Sequence, residues 1–360
     1  MPWSEEEFRR ALEGAADRAR PEEDALGMLR ARAHRRERTR TFGYAFAGAA
    51  AAAALIVAGL ALRPENRRPD VELAGPGPAA TAGAAYVTPL VREEAAGGSI
   101  LPEISGDGRS VVFLSESAGL VAGDTNGLSD TFVRDLTTGR IERVSVSSSG
   151  DQGNAPSLSG SISSDGRLVA FRSDASDLVA GDTNGVSDVF LRDRAAGTTV
   201  RVSVASDGSQ ANGESDSAAM SADGRFVAFR SAASNLVKGD TNGLPDIFVY
   251  EVATGKTERV TVSTGGAQSN GDGRNPAISA DGSRVVFSSI ASSLVAADTN
   301  RTWDVFVRDR AQGTTQRVSV SSDGRQGTLA SVFPSISPDG GFVAFVSSAS
   351  NLVPNDTNRV

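Results

Sequence analysis

The chain has 360 residues, a net charge of −8 and no cysteine, which excludes a disulfide framework and any thiolate metal site. Residues 1–70 are net basic through arginine, whereas the remainder is strongly acidic. An acidic body lacks the clustered cations that phosphate neutralisation needs, so nucleic acid is excluded as a partner for it.

The N-terminal arm, residues 1–41, opens on Ser4-Glu5-Glu6-Glu7, the spacing of a capping box, and Phe8, Ala11, Leu12 and Ala15 follow at helical intervals. Pro21, followed by Glu22, Glu23 and Asp24, marks a second short helix. Helices with so little to bury read either as a docking segment for a cytoplasmic partner of residues 1–40 or as a solvated lead-in. His34 lies among arginines and is assigned to a topology signal rather than to catalysis.

Residues 42–62, Phe42 to Leu62, carry no charge and are rich in alanine, with Leu55, Ile56, Val57 and Leu60. At about 1.5 Å per residue this run reaches roughly 30 Å, one hydrocarbon core. The arginine cluster from Arg30 to Arg40 precedes it, and only Arg63, Arg67 and Arg68 follow closely. The positive-inside rule then places the N-terminus in the cytoplasm and the rest outside. The run begins too late and is too long for a cleaved signal, so a single-pass signal anchor in the cell membrane is expected. Residues 63–84, centred on Gly75-Pro76-Gly77-Pro78, read as a tether.

Residues 85–360 repeat. Asp124, Asp182, Asp240, Asp298 and Asp356 recur at a constant interval of 58 residues, and so do Asp107, Asp165, Asp223, Asp281 and Asp339 of a Ser-x-Asp-Gly turn. A residue present in every copy is read as architecture, because a reaction centre is normally built once. Each unit has four strand-like runs, as in Ser161–Ser163, Leu168–Phe171, Asp188–Arg192 and Arg201–Val204, separated by Asp-Gly, Asn-Gly and Thr-Gly turns or their equivalents. The second run is apolar on consecutive residues, so both of its faces need cover, as in a blade between two neighbours. The expected fold is all-β: a β-propeller of about five four-stranded blades, preceded by the arm and one transmembrane helix. The fifth copy reaches only its first two strands. Tyr86-Val87 joins it in a composite blade that still lacks one strand, or the ring keeps an open edge, or the reading frame is truncated.

The run from Ser163 to Phe171, the segment Asp188 to Asp193, the Thr-Gly turns and Arg-Val-Ser-Val resemble the WD-like propeller repeat of bacterial TolB-type proteins, over about residues 85–360. This resemblance implies the propeller and leaves activity open, since the family hosts binding modules and propeller caps of many kinds. The unit exceeds the roughly 40–45 residues of a usual blade. The extra length falls in the Gly-Asp-Thr-Asn-Gly loop and in a Gly-x-Gln-x-Asn stretch (Gln152/Asn154, Gln210/Asn212, Gln268/Asn270).

The one pattern with metal-ligand spacing is Asp-Thr-Asn-Gly-x-x-Asp: Asp124, Asn126 and Asp130; Asp182, Asn184 and Asp188; Asp240, Asn242 and Asp246; and, with Arg301 in place of the glycine, Asp298, Asn300 and Asp304. Positions 1, 3 and 7 match the start of a calcium loop. The next acids (Asp135, Asp193, Glu251, Asp309) lie beyond a strand and cannot reach the same ion. The other reading is turn chemistry, in which Asp and Asn bond nearby backbone. No metal site is assigned, and calcium stays an open possibility. The repeats contain no histidine or cysteine, so Ser-His-Asp and Cys-His chemistry are excluded there and no catalytic or cofactor residue is named. Arg134/Asp135, Arg192/Asp193 and Arg308/Asp309, replaced by Tyr250/Glu251 in one copy, read as an ion network. Trp303 is either a loop filler or a ligand contact. The functional expectation is a membrane-anchored, extracytoplasmic binding module, not an enzyme, for a protein, peptide or glycan. The alternatives are an anti-sigma-like signal transducer whose arm binds a regulator, and a hydrolase or lyase using acids at the ring centre.

Overall fold

The computed structural model describes residues 99–356. The arm 1–41, the span 42–62, the linker 63–84 and Tyr86-Val87 lie outside the described residues. Among the described residues no helix is long and apolar enough to cross a membrane.

The described chain is all-β and builds one sheet per repeat. The first sheet contains β1 (Ser99–Ile104), β2 (Ser110–Ser115), β3 (Asp130–Asp135) and β4 (Ile141–Arg143). The second contains β5 (Ser157–Ile162), β6 (Leu168–Ser173), β7 (Asp188–Asp193) and β8 (Thr198–Arg201). The third contains β9 (Ser215–Met220), β10 (Phe226–Ser231), β11 (Asp246–Glu251) and β12 (Lys256–Arg259). The fourth contains β13 (Gly273–Ile278), β14 (Arg284–Ser289), β15 (Asp304–Asp309) and β16 (Thr314–Arg317). The fifth shows β17 (Ser331–Ile336) and β18 (Val343–Ser347). Each sheet is an antiparallel meander in chain order, the blade of a propeller.

Two strand assignments differ from the sequence expectation. The first strand of each unit is longer than the Ser-Ile-Ser core, because β5 already begins at Ser157. The fourth strand ends at the arginine of Arg-Val-Ser-Val rather than running through it. Val204 instead makes an isolated bridge to Gln210, as Val146 does to Gln152 in the copy before, so the run turns off the blade and carries the chain to the next.

The core lies between blades. Consecutive apolar residues on β6 and β10 leave no solvated face: Val169, Ala170, Phe171, Val227, Ala228 and Phe229 are fully buried. The phenylalanines of the second and third strands stack within each blade, Phe171 on Phe190 and Phe229 on Phe248, with centroids 5.8 and 5.9 Å apart. Faces then pack across: Ala170, Val189 and Leu191 of the second blade join Val227 and Phe229 of the third in one cluster. Close approach of the first two blades requires Gly160, where a Cβ would stand 2.5 Å from Val112. Backbone bonds link successive Ser-x-Asp-Gly turns, from Ser164 N–H to Ala222 C=O at 2.8 Å and from Ala280 N–H to Pro338 C=O at 2.9 Å.

The innermost strand of every blade carries a β-bulge at the same register, between Ile100 and Glu103 in β1 and between Val332 and Ser335 in β17. The residues in left-handed conformation at these bulges are Leu101, Ser217, Asn275 and Phe333, with φ of 51 to 53°. Between the fifth and first blades the interface differs from the others. Ile104 is 57 % exposed where its counterparts Ile162 and Met220 are 5 % and 7 %, and Phe342 is 52 % exposed where Phe226 is 8 %.

Candidate functional site

Two regions concentrate polar groups away from the hairpin turns: a network near the rim of the first four blades and a cavity on the axis.

The rim network contains the twelve residues with calcium-loop spacing. In the second copy the Gln210 amide donates to Asp182 at 2.8 Å and to Asp188 at 3.3 Å, holding the two carboxylates together. Gln152 spans Asp124 and Asp130, Gln268 spans Asp240 and Asp246, and Gln326 spans Asp298 and Asp304 in the same way. The asparagine joins the carboxylates to the backbone: Asn184 Nδ2 donates to Asp188 at 3.2 Å and Asn300 Nδ2 to Asp304 at 2.9 Å. Asn184 Nδ2 donates to Ala211 C=O, and Asn184 Oδ1 accepts the Val186 N–H, an Asx turn. Asn126, Asn242 and Asn300 repeat both contacts.

A hydroxyl and a guanidinium complete the arrangement. Ser203 donates to Asp188 at 2.6 Å, as Ser145, Thr261 and Ser319 do to Asp130, Asp246 and Asp304. Arg201 lies 3.4 Å from both Asp182 and Asp188. Arg259 and Arg317 bridge their acid pairs similarly, and Arg143 pairs with Asp130 at 3.6 Å. Asp130, Asp188, Asp246 and Asp304 are wholly buried. Burial is the first cause that pushes the Asp130 and Asp188 carboxyls above the usual range, against the hydroxyl, amide and guanidinium donors; at Asp246 it reaches about 6. Space between the carboxylates is thus filled by N–H donors and a fixed cation. A calcium ion there would meet a like charge instead of the six to eight oxygens it needs. The geometry supports the turn-and-scaffold reading of these residues.

The Arg-Asp pairs of the third strands behave as connectors. Asp193 accepts Arg167 at 2.5 Å across its own blade, and this bond, ahead of the Ala195 and Ala196 N–H groups, lowers its pKa to about 2. Arg192 donates to Ser147 C=O, in the segment that leaves the preceding blade, at 3.1 Å. Arg308 repeats this toward Ser263. Between blades, Arg194 binds Glu142 and Arg310 binds Glu258. Trp303 is covered by the Arg274 guanidinium, 4.7 Å above its ring.

The axial cavity, ≈ 380 Å³, is lined by residues from the innermost strand of all five blades. Leu101, Ser217, Asn275 and Phe333, the left-handed bulge residues, stand on its wall. Leu101 and Phe333 are 58 % and 56 % exposed, unusual for large apolar side chains. The next layer holds Glu103, the only charged residue on the wall. Glu103 Oε1 accepts the Ser161 hydroxyl at 2.9 Å and the Ile162 N–H at 3.0 Å, both from β5. Surrounding protein atoms raise its pKa, and these two hydrogen bonds oppose the rise. No described cation pairs with it.

The sequence pattern missed two elements of these sites. Arg143, Arg201, Arg259 and Arg317 keep the 58-residue step of the aspartates they neutralise, a signal available in the repeat alignment. Glu103 occupies a position held by Ser161, Ala219, Ala277 and Ser335 in the other copies, so its signal is departure from the repeat.

No protein-family model matches the chain, and no curated protein matches it. Among solved structures, the chain is similar to TolB from Acinetobacter baumannii, at 17 % identity and a TM-score of 0.40, over 70 % of this chain and 55 % of that one. It spans just over half the length of that protein. Similarity extends to a putative TolB from Agrobacterium tumefaciens (19 % identity, TM-score 0.43, 70 % of each chain). It also extends to an oligogalacturonate lyase in complex with manganese (16 % identity, TM-score 0.43, 72 % of this chain and 67 % of that one).

Proposed function

We propose that the repeats form a non-catalytic binding module whose ligand occupies the axial cavity, held outside the cell membrane by the anchor at residues 42–62. One observation carries this reading. At a single register four of the five blades share a strained backbone and present different side chains around one cavity: Leu101, Ser217, Asn275 and Phe333. A left-handed conformation disfavours residues other than glycine by roughly 1–2 kcal/mol. Repeated strain with unlike side chains fits selection for what those side chains face. Chemistry by paired carboxylates is less well supported, because glycoside hydrolysis needs two acids and Glu103 stands alone on the wall.

The absence of cysteine allows a direct test. Single-cysteine variants at the axis (Ser217→Cys) and on an outer turn (Ala195→Cys) are labelled in intact cells with a membrane-impermeant maleimide. Labelling of Ala195→Cys only after permeabilisation overturns the outside placement. A photo-crosslinker on each cysteine then gives an adduct specific to the axis; the same adducts from both positions, or none, overturn the axial reading.

A further inference from the structure

Resting on the axial reading, we infer that the cavity takes a primary ammonium group on an apolar stem, as in a lysine side chain flanked by apolar residues, with Glu103 receiving the charge and Leu101 and Phe333 receiving the stem. Three features of the wall carry this.

The first is charge. Glu103 is the sole ionisable residue lining the cavity, and no described Arg or Lys neutralises it. In the rim network, by contrast, seven of the eight aspartates, all but Asp124, have a guanidinium within 3.7 Å. Asp216 lies 3.0 Å from Arg230, and Asp272 lies 2.7 Å from Arg274. A carboxylate left without a cation on a cavity wall is complementary to a cationic ligand. Glu103 is exposed, so a ligand cation reaches it from solvent without displacing a partner.

The second is orientation. The Ser161 hydroxyl and the Ile162 N–H both bind Oε1 of Glu103. These contacts fix the carboxylate and leave Oε2 with no hydrogen-bond partner among the described residues. The group is pre-ordered, so a ligand does not have to immobilise it.

The third is the apolar stem. Leu101 and Phe333 come from the first and fifth blades and both face the same space, each more than half exposed. Leaving two large apolar side chains in water forgoes the favourable free energy of burying them. A stem between them recovers part of it. Ser217 and Asn275 on the same wall supply neutral hydrogen-bonding groups that suit a peptide backbone. An anionic or purely apolar ligand leaves Glu103 repelled or desolvated without a partner.

The test uses the full chain in detergent micelles and three capped tripeptides, acetyl-Leu-Lys-Leu-amide, acetyl-Leu-Glu-Leu-amide and acetyl-Leu-Leu-Leu-amide, titrated by calorimetry. The lysine peptide is expected to bind at least 10-fold more tightly than the other two. Glu103→Gln keeps an oxygen to accept Ser161 and Ile162, and it is expected to erase that preference with an unchanged unfolding midpoint. Phe333→Ser is expected to weaken all three peptides alike. A preference that survives Glu103→Gln overturns the inference, and so does equal binding of the three peptides. Failure of all three to bind overturns it as well. The axial reading falls separately, on the crosslinking at Ser217→Cys.

Discussion

At the rim, the blades place the same residue types at the same positions; at the axis, they place different ones. The rim set is two aspartates, an asparagine, a glutamine, a hydroxyl and an arginine, and its contacts recur with distances that vary by a few tenths of an ångström. The axial set is Leu101, Ser217, Asn275 and Phe333 on one backbone conformation. Identical copies are what stacking of equivalent blades demands, since each interface must accept the next. Divergent copies are what a single ligand demands, since it meets each blade once. Stability and recognition thus occupy different strands of each blade, and substitutions in the two regions should separate.

The largest separation is expected at Arg201. Its side chain is 7 % exposed and neutralises Asp182 and Asp188, themselves nearly or fully buried. Arg201→Leu leaves two buried carboxylates without a cation and should destabilise the domain by about 3–5 kcal/mol. The control Arg167→Leu removes an ion pair whose arginine side chain is 54 % exposed and should change stability little. Denaturant unfolding of the two variants measures both. Equal effects would place the network outside the set of stabilising contacts.

Next in size is a pH effect within the rim. Burial raises the Asp246 carboxyl from 3.8 to about 6. A folded pKa above the unfolded one means that this group's contribution to stability is complete below pH 3.8 and lost as pH rises through 6. The shift corresponds to about 3 kcal/mol. Asp193, lowered to about 2 by Arg167, has the opposite sign: its contribution is present above pH 3.8 and lost as pH falls through 2. Wild type should therefore lose stability relative to Asp246→Asn between pH 4 and 7. A difference that stays flat over that range breaks the assignment.

These sites show why the sequence is legible in one region and not in the other. Repeat length, blade count and the double burial of the second strand follow from periodicity, because Phe171, Phe229 and Phe287 keep both step and partner. The aspartates of the rim were found by spacing, but spacing alone leaves their partner open between an ion and a side chain. Gln210 and Arg201 decide it by folding back from the following strand and loop, 28 and 19 residues beyond Asp182. The axis was not legible because it is defined by departure from the repeat. Glu103 looks like any exposed acid until five inner strands converge beside it.

A smaller effect is expected at the axis itself. Leu101 holds φ at 51° with its side chain 58 % exposed, so it contributes strain and little packing. Leu101→Gly removes the strain and should leave stability unchanged or raise it by up to about 1 kcal/mol. Binding of the lysine peptide should weaken in the same variant. Destabilisation beyond about 1 kcal/mol would show that the bulge residue supports the fold, and would remove the contrast between axis and rim.

The smallest effect sought is one of calcium on the wild type. Between Asp182 and Asp188 stand the Arg201 guanidinium and the Gln210 amide, so an added cation has no open place and gains nothing by binding. Millimolar calcium should leave the unfolding temperature where it is, since a ligand stabilises only through affinity for the folded state. Arg201→Leu changes that balance: Asp182 and Asp188 become an uncompensated pair. Calcium should then recover part of the lost stability in the variant while doing nothing for the wild type, which a thermal scan of both with and without the ion reads directly. Stabilisation of the wild type would mean that the repeated aspartates hold a metal after all, and the rim would be a set of ion sites rather than a scaffold.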